Sequence, residues 1–212
     1  AATSWLLEHA APLVKVTIVP RGRSLGAAWY LPEERQITTA DQMLDEMCAT
    51  MGGRAAEKVI FDKISTGALS DLEKVTKQAY AMVSIYGLNK RVGNLSYYDS
   101  QGRDYFTKPY SEDTAKMIDE EVSLLIEAQY QRAIEVLTAH KDKLEALAEK
   151  LLTDEVIFKE DLEQIFGKRP WEVSNEVVPV ETAEEAQNKT LGSQESDAEE
   201  PSTEEKDSSE TN

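Results

Sequence analysis

Cysteine is almost missing from this chain: Cys48 stands alone in 212 residues. No disulfide can therefore form within it, and the place of Cys48 in an apolar helical pattern makes it a buried thiol, in keeping with a reducing compartment. Histidine is nearly as scarce. His9 and His140 are the two present, and His9 has no second histidine four residues away, so it reads as a packed or half-exposed side chain rather than a metal ligand. His140, in a Lys-rich helix junction, reads as surface. No Gly-x-x-x-x-Gly-Lys-Ser/Thr loop occurs, which excludes a phosphate loop of that type within these residues. No apolar run reaches the roughly 18 residues of a membrane-spanning helix. Basic residues are outnumbered, 23 Lys and Arg against 40 Asp and Glu, for a net charge of −17. Such a chain repels polyanions, and the tyrosine-dotted segment Leu88 to Pro109 is broken by Asp99 and Asp104, so nucleic acid is not an expected partner.

The acid is unevenly spread. Residues 172–212 hold 13 Asp and Glu against two Lys, a net of −11, and have almost no large apolar residue after Val180. That stretch cannot repay the entropy of folding and is expected to be a disordered acidic tail, leaving residues 1–171 as the folded domain.

The folded part reads as mainly α. Ala1 to Ala10 resembles the end of a helix with Ala2, Trp5, Leu6 and His9 on one side and no cap of its own, an indication of sequence upstream. Leu13 to Val19 alternates as a half-buried strand through Val14, Val16 and Ile18, and Leu25 to Leu31 returns as the second strand of a hairpin, stopped by Pro32. Gly26, Ala27 and Ala28 keep that second strand small, where another backbone could approach or the packing could simply be tight. Thr38 or Thr39 caps a helix over about Ala40 to Ile60 with Met43, Leu44, Met47, Cys48 and Met51 as its buried stripe. Gly52-Gly53 interrupts it, and a close packing contact is the expected compensation for two glycines that each cost about 1 kcal/mol in a helix interior. Ser111 caps the longest helix, which runs to about Ala139. Leu144, Leu147, Ala148, Leu151 and Leu152 mark another, and Lys159 to Phe166 a last one ending at Gly167. Three amphipathic helices bury their stripes as a C-terminal bundle.

The stretch Ile64-Ser65-Thr66-Gly67-Ala68-Leu69-Ser70-Asp71-Leu72-Glu73-Lys74-Val75 is a polar turn entering an amphipathic helix. Thr66 or Ser70 can cap it, Ser70 and Glu73 fit a capping box, and Leu72, Val75, Ala79 and Val83 share a face. Asp71 then lies in the first helical turn. There it suits either a helix-start acid or a hard-oxygen metal ligand.

Thr66-Gly67-Ala68-x-x-Asp71-Leu72 resembles the signature of the FtsH-type ATP-dependent zinc metalloproteases. Further similar runs are Lys15-Val16-x-Ile18-x-Pro20-Arg21-Gly22, Leu25-Gly26, Tyr30-Leu31-Pro32, Gly52-Gly53-Arg54-x-Ala56-Glu57, Tyr110 to Val122 and Val156 to Trp171. The likeness covers essentially residues 1–171. It implies a zinc metallopeptidase domain that lacks its His-Glu-x-x-His helix, with Asp71 as the third zinc ligand and the general-base glutamate lying upstream. It also implies that Glu57 stands near the zinc site as a supporting residue, with Lys58 where the family usually carries a second Glu. The hairpin strand Gly26-Ala27-Ala28-Trp29-Tyr30 would face substrate. For the parent protein the resemblance implies zinc, ATP bound in a separate ATPase domain, a membrane-anchored hexamer, and unfolded or membrane proteins as substrates. It places that parent on the cytoplasmic side of a bacterial inner membrane, or alternatively at the mitochondrial inner membrane. The chain alone, with one ligand of three, is expected to be proteolytically inactive. Two other readings compete: a non-enzymatic helical scaffold in which Asp71 is a cap and the tail binds a partner, and a free-standing peptide-binding hairpin.

Overall fold

Ten elements are seen in a computed structural model, which describes residues 1–20, 22, 26–31, 37–97 and 109–171. They are helix α1 (Ala2–Leu6), strands β1 (Leu13–Thr17) and β2 (Ala27–Tyr30), helix α2 (Ala40–Phe61), a 3-10 turn (Thr66–Ala68), helices α3 (Leu69–Ser84), α4 (Glu112–Ala139) and α5 (Lys141–Asp154), strand β3 (Val156–Phe158) and helix α6 (Lys159–Phe166). The acidic segment 172–212 lies outside the described residues, as do Leu25, Pro32 and residues 98–108. The fold is mainly α with a small antiparallel sheet, as the sequence indicates. Among the described residues no helix is long and apolar enough to cross a membrane.

Local chemistry accounts for the helix starts. The Thr39 hydroxyl accepts the Gln42 backbone N–H at 3.3 Å while the Gln42 side chain accepts the Thr39 N–H at 2.8 Å, a reciprocal box that satisfies two orphan donors of α2. Ser111 does the same work for α4 by accepting the Thr114 N–H. Helix α2 ends where Asp62 turns left-handed at φ 51°, and α5 ends likewise at Glu155, which sends the chain straight into β3.

The core is built on α2, α3 and α4. Met47, Cys48, Met51 and Ala55 of α2 face Val75, Ala79, Met82 and Val83 of α3 and Ile118, Val122, Ala133 and Leu137 of α4, all buried. The long α4 thus lies along α2 and α3 before it meets α5, and the C-terminal bundle draws in the central helices. Leu147 and Leu151 of α5 are buried, but Leu152, expected on the same stripe, points to solvent at 74% exposure.

Three strand details depart from the sequence reading. β3 joins the hairpin to give the order β2-β1-β3, both pairs antiparallel. Three residues are too few to show an alternation, which is why β3 left no periodic signal to read. β1 stops at Thr17, and a register shift between Leu13 and Lys15 breaks its alternation. Leu13, Val16 and Thr17 are the buried residues, while Val14 and Ile18 are exposed.

The amino-terminal stretch is held from three sides. Arg169, itself buried, donates from Nη2 to the carbonyls of Leu7 and Ala10, each at 2.8 Å. Charge-assisted bonds of this kind contribute about 1.5–3 kcal/mol. Trp5 Nε1 donates to the Gly167 carbonyl at 3.0 Å, and the buried Asp45 of α2 accepts the His9 backbone N–H at 2.9 Å while pairing with Arg132 of α4 at 2.6 Å. Cys48 lies fully buried beside that pair, and burial pushes its thiol up to about 11.

Helix α2 runs unbroken through Gly52-Gly53, and the close contact expected there is α1. A Cβ on Gly52 would stand 2.9 Å from the Thr3 Cβ and closer still to its hydroxyl, so α1 could not seat. At Gly53 a Cβ would meet only Asp71 Oδ2, at an ordinary 3.8 Å. Gly52→Ala should therefore lose about 1–3 kcal/mol through overpacking, whereas Gly53→Ala should gain about 0.5–1 kcal/mol from helix propensity. Urea unfolding of the two variants checks the opposite signs.

Candidate functional site

The turn between α2 and α3 is organised by Glu57. Its carboxylate accepts both the Ser65 hydroxyl at 2.6 Å and the Ser65 backbone N–H at 2.9 Å, and these bonds, the hydroxyl's first, hold its pKa below the usual range. The Ser65 hydroxyl in turn accepts the Gly67 N–H at 3.1 Å and caps the 3-10 turn Thr66–Ala68. Helix α3 follows with Ala68 at its N-cap and no side-chain cap bond, so neither Thr66 nor Ser70 caps it. The 3-10 turn takes over that task, because its own carbonyls and amides bridge the entry. Asp71 is the third residue of α3, in the first turn, as the sequence indicates. Glu57 thus grips the loop leading to Asp71 and does not line the cavity that Asp71 faces.

That cavity holds about 600 Å³. Its walls include Ala1 and Ser4 of the amino-terminal stretch, Glu46, Ala49, Thr50 and Gly53 along one face of α2, Asp71 and Lys74 of α3, and Tyr30 at the end of β2. The Asp71 carboxylate is half-buried and accepts no hydrogen bond among the described residues. Partial burial pushes its pKa up, opposed by Lys74 and by the amino group of Ala1. That amino group is itself lowered to about 6 by burial, with Asp71 pulling it back. The two groups face one another closely enough for each to bias the other's proton.

A capping side chain accepts a backbone N–H; the Asp71 carboxylate accepts none among the described residues, which speaks against its acting as a cap. Its situation suits an oxygen donor held ready toward a cation. Zinc needs three or four donors, and among the described residues no three His, Cys, Asp or Glu side chains converge. The described residues therefore form no complete centre, and Asp71 is the one candidate donor that the sequence reading named. His9 also lines the cavity, half-buried, and its backbone N–H is used on Asp45. His140, expected at the surface, is half-buried because its Nδ1 lies 2.9 Å from the Val136 carbonyl.

Of the hairpin residues, Tyr30 reaches the cavity, and its hydroxyl accepts a hydrogen bond from the buried Ser4 at 3.3 Å. Ala27, Ala28 and Trp29 stand on the outermost strand of the sheet beside it. Gly26 is small for β1: a Cβ there would lie 2.7 Å from the Thr17 carbonyl oxygen. Sequence reasoning passed over Lys74, which pairs with Glu46 at 2.8 Å and closes the wall next to Asp71. The available signal was the spacing of Gln42, Glu46, Ala49, Thr50 and Gly53 on one face of α2, too polar and small to be core.

A carboxyl whose folded pKa lies above its unfolded value stabilises the fold only while protonated, a contribution present below the unfolded value and lost as pH rises through the folded one. At neutral pH the ionised Asp71 thus brings a net cost. Asp71→Asn should leave the unfolding midpoint of the chain at pH 7 unchanged or raised, where loss of a true cap would cost about 0.5–2 kcal/mol; thermal unfolding by circular dichroism reads the difference.

Comparison with known proteins fits this arrangement. Residues 1–165 match the family model described as Peptidase family M41. The chain is similar to the ATP-dependent zinc metalloprotease FtsH of Parabacteroides distasonis, 58% identical over 200 residues, which cover 93% of this chain and 29% of that protein. It is similar to the FtsH of Karelsulcia muelleri at 56% identity, covering 78% of the chain and 27% of that protein. The mouse mitochondrial inner membrane m-AAA protease component AFG3L2 is 48% identical, covering 81% and 21%. The chain thus spans under a third of the length of these relatives. With the match running from the α1 stretch through the Asp71 turn to α6, the chain belongs to peptidase family M41.

Proposed function

We propose that this chain is the C-terminal part of the proteolytic domain of a membrane-anchored, ATP-dependent zinc metalloendopeptidase, and that Asp71 is its third zinc ligand. The observation that carries the reading is the Asp71 carboxylate, which accepts no hydrogen bond among the described residues and lies with Ala1 in the wall of one cavity. A His-Glu-x-x-His helix continuing α1 on its amino-terminal side would bring two imidazoles and a general-base glutamate toward that carboxylate. Zinc, when bound, would lower the pKa of a ligated water and polarise the scissile carbonyl.

The chain's own residues then have separate tasks. Asp71 supplies an anionic oxygen donor to the wall of the cavity. Glu57 fixes the Ser65 turn and so the position from which Asp71 projects. Ala27 to Tyr30 present a strand edge on which an extended substrate could be held by backbone hydrogen bonds, with Tyr30 carrying that edge into the cavity wall. Residues 172–212 are an acidic tail outside the domain, a division supported by the end of the family match at residue 165.

For the whole protein we infer an ATPase domain outside this chain, a hexameric ring, and unfolded or membrane proteins as substrates. The higher identities to bacterial FtsH proteins favour the cytoplasmic side of a bacterial inner membrane over the mitochondrial inner membrane.

A longer protein carrying the upstream helix should bind one zinc per chain and cleave casein, and Asp71→Ala should abolish both. The 212-residue chain should do neither, since loss of the base alone removes about 10²–10⁴-fold in rate. Metal analysis and casein digestion decide it: a longer, folded protein with no bound metal would leave the scaffold reading standing.

A further inference from the structure

We propose that Trp29 selects a large apolar side chain in an extended peptide paired with the free edge of β2. The inference rests on the reading of β2 as a substrate edge and names what that edge reads.

Strand order leaves one side of β2 unpaired among the described residues. The register sets Trp29 opposite Lys15, and Lys15 opposite Phe158, so these three side chains form one row across the sheet. The neighbouring row, Ala28, Val16 and Ile157, belongs to the other face, and there Val16 and Ile157 are buried. The Lys15 ammonium stands 5.4 Å from the Trp29 ring centroid and 5.7 Å from that of Phe158. Attraction of the cation to both ring faces fixes the indole's orientation. Trp29 nonetheless remains 40% exposed and Phe158 49%.

A peptide strand added at that edge continues the row. Its residue opposite Trp29 would place a Cβ about 4.5–5.5 Å from that of Trp29, on the same face, so its side chain meets the indole directly. The flanking peptide residues turn to the other face, where β2 offers the methyl of Ala28 on one side and Tyr30 on the other. On the Trp29 face one peptide position is read by the indole, and its Ala28-side neighbour is read weakly. Phe or Leu at that position covers the indole, Ala does not, and Lys or Arg meets the Lys15 ammonium. Tyr30, the next residue of β2, lines the Asp71 cavity, so the read position lies beside the part of the peptide that would enter it.

The test needs no metal and no turnover. The 212-residue protein is titrated with acetylated eight-residue peptides, identical except for Phe, Ala or Lys at one central position, and backbone amide shifts are followed by NMR. The expected result is saturable shifts at Ala27 to Tyr30, with the Phe peptide about tenfold tighter than the Ala peptide. Trp29→Ala should bring that ratio below about twofold, and Trp29→Phe should keep most of it; an unchanged spectrum elsewhere shows that both variants fold. Shifts that avoid β2, no saturable binding, or an unaltered Phe to Ala ratio in Trp29→Ala would overturn the proposal. Because zinc is absent from the experiment, failure here leaves the zinc content of the longer protein as it was, and absence of zinc there would leave this result standing.

Discussion

The site depends on how closely α1 lies on α2. Thr3 rests where a side chain on Gly52 would be, and that contact sets the distance at which the amino-terminal residues pass the start of α3. A five-residue helix without a cap could not hold such a position by itself. Its hold comes from elsewhere: Arg169 gathers the carbonyls that follow α1, Trp5 bonds to Gly167, and Asp45 takes the His9 amide. Segments more than 150 residues apart in the chain thereby fix where Ala1 meets Asp71.

Against that rigid frame, Asp71 stands out as a group the fold does not need. Three acids near it are partnered: Glu57 has Ser65, Asp45 has Arg132, Glu46 has Lys74. Asp71 accepts no hydrogen bond among the described residues and is partly desolvated, so its proton is bound more tightly than in water. That situation is what the proposed role of Asp71 as a metal ligand requires. The neighbouring Gly53 keeps α2 clear of it, and the Glu57 to Ser65 clasp holds the turn from which it projects.

Much of this was legible in the sequence. The helix starts at Thr39 and Ser111 were readable because hydroxyls just before apolar-periodic runs have one economical use, and the stripe Val75, Ala79, Val83 followed from its 3.6-residue period. The Asp71 turn was readable by its resemblance to a family signature and by its place in a first helical turn. The missed features are those set by tertiary contact. A bulge after Leu13 turned Val14 outward and Leu13 inward on β1, β3 was too short to have a period, and the entry to α3 was taken over by the 3-10 turn that Ser65 caps, gripped by Glu57 eight residues earlier. The close contact expected at the paired glycines was legible, but its partner, Thr3 on another helix, was not. The row of Trp29, Lys15 and Phe158 likewise exists only once three strands are in register.

The central claim is that the Asp71 oxygen belongs to a metal's inner shell. Zinc-edge X-ray absorption on the longer protein measures this directly. The account predicts two imidazole nitrogens at about 2.0–2.1 Å and protein carboxylate oxygen at about 2.0–2.2 Å, with the carboxylate contribution gone in Asp71→Asn. A zinc shell that Asp71→Asn leaves unaltered would contradict it.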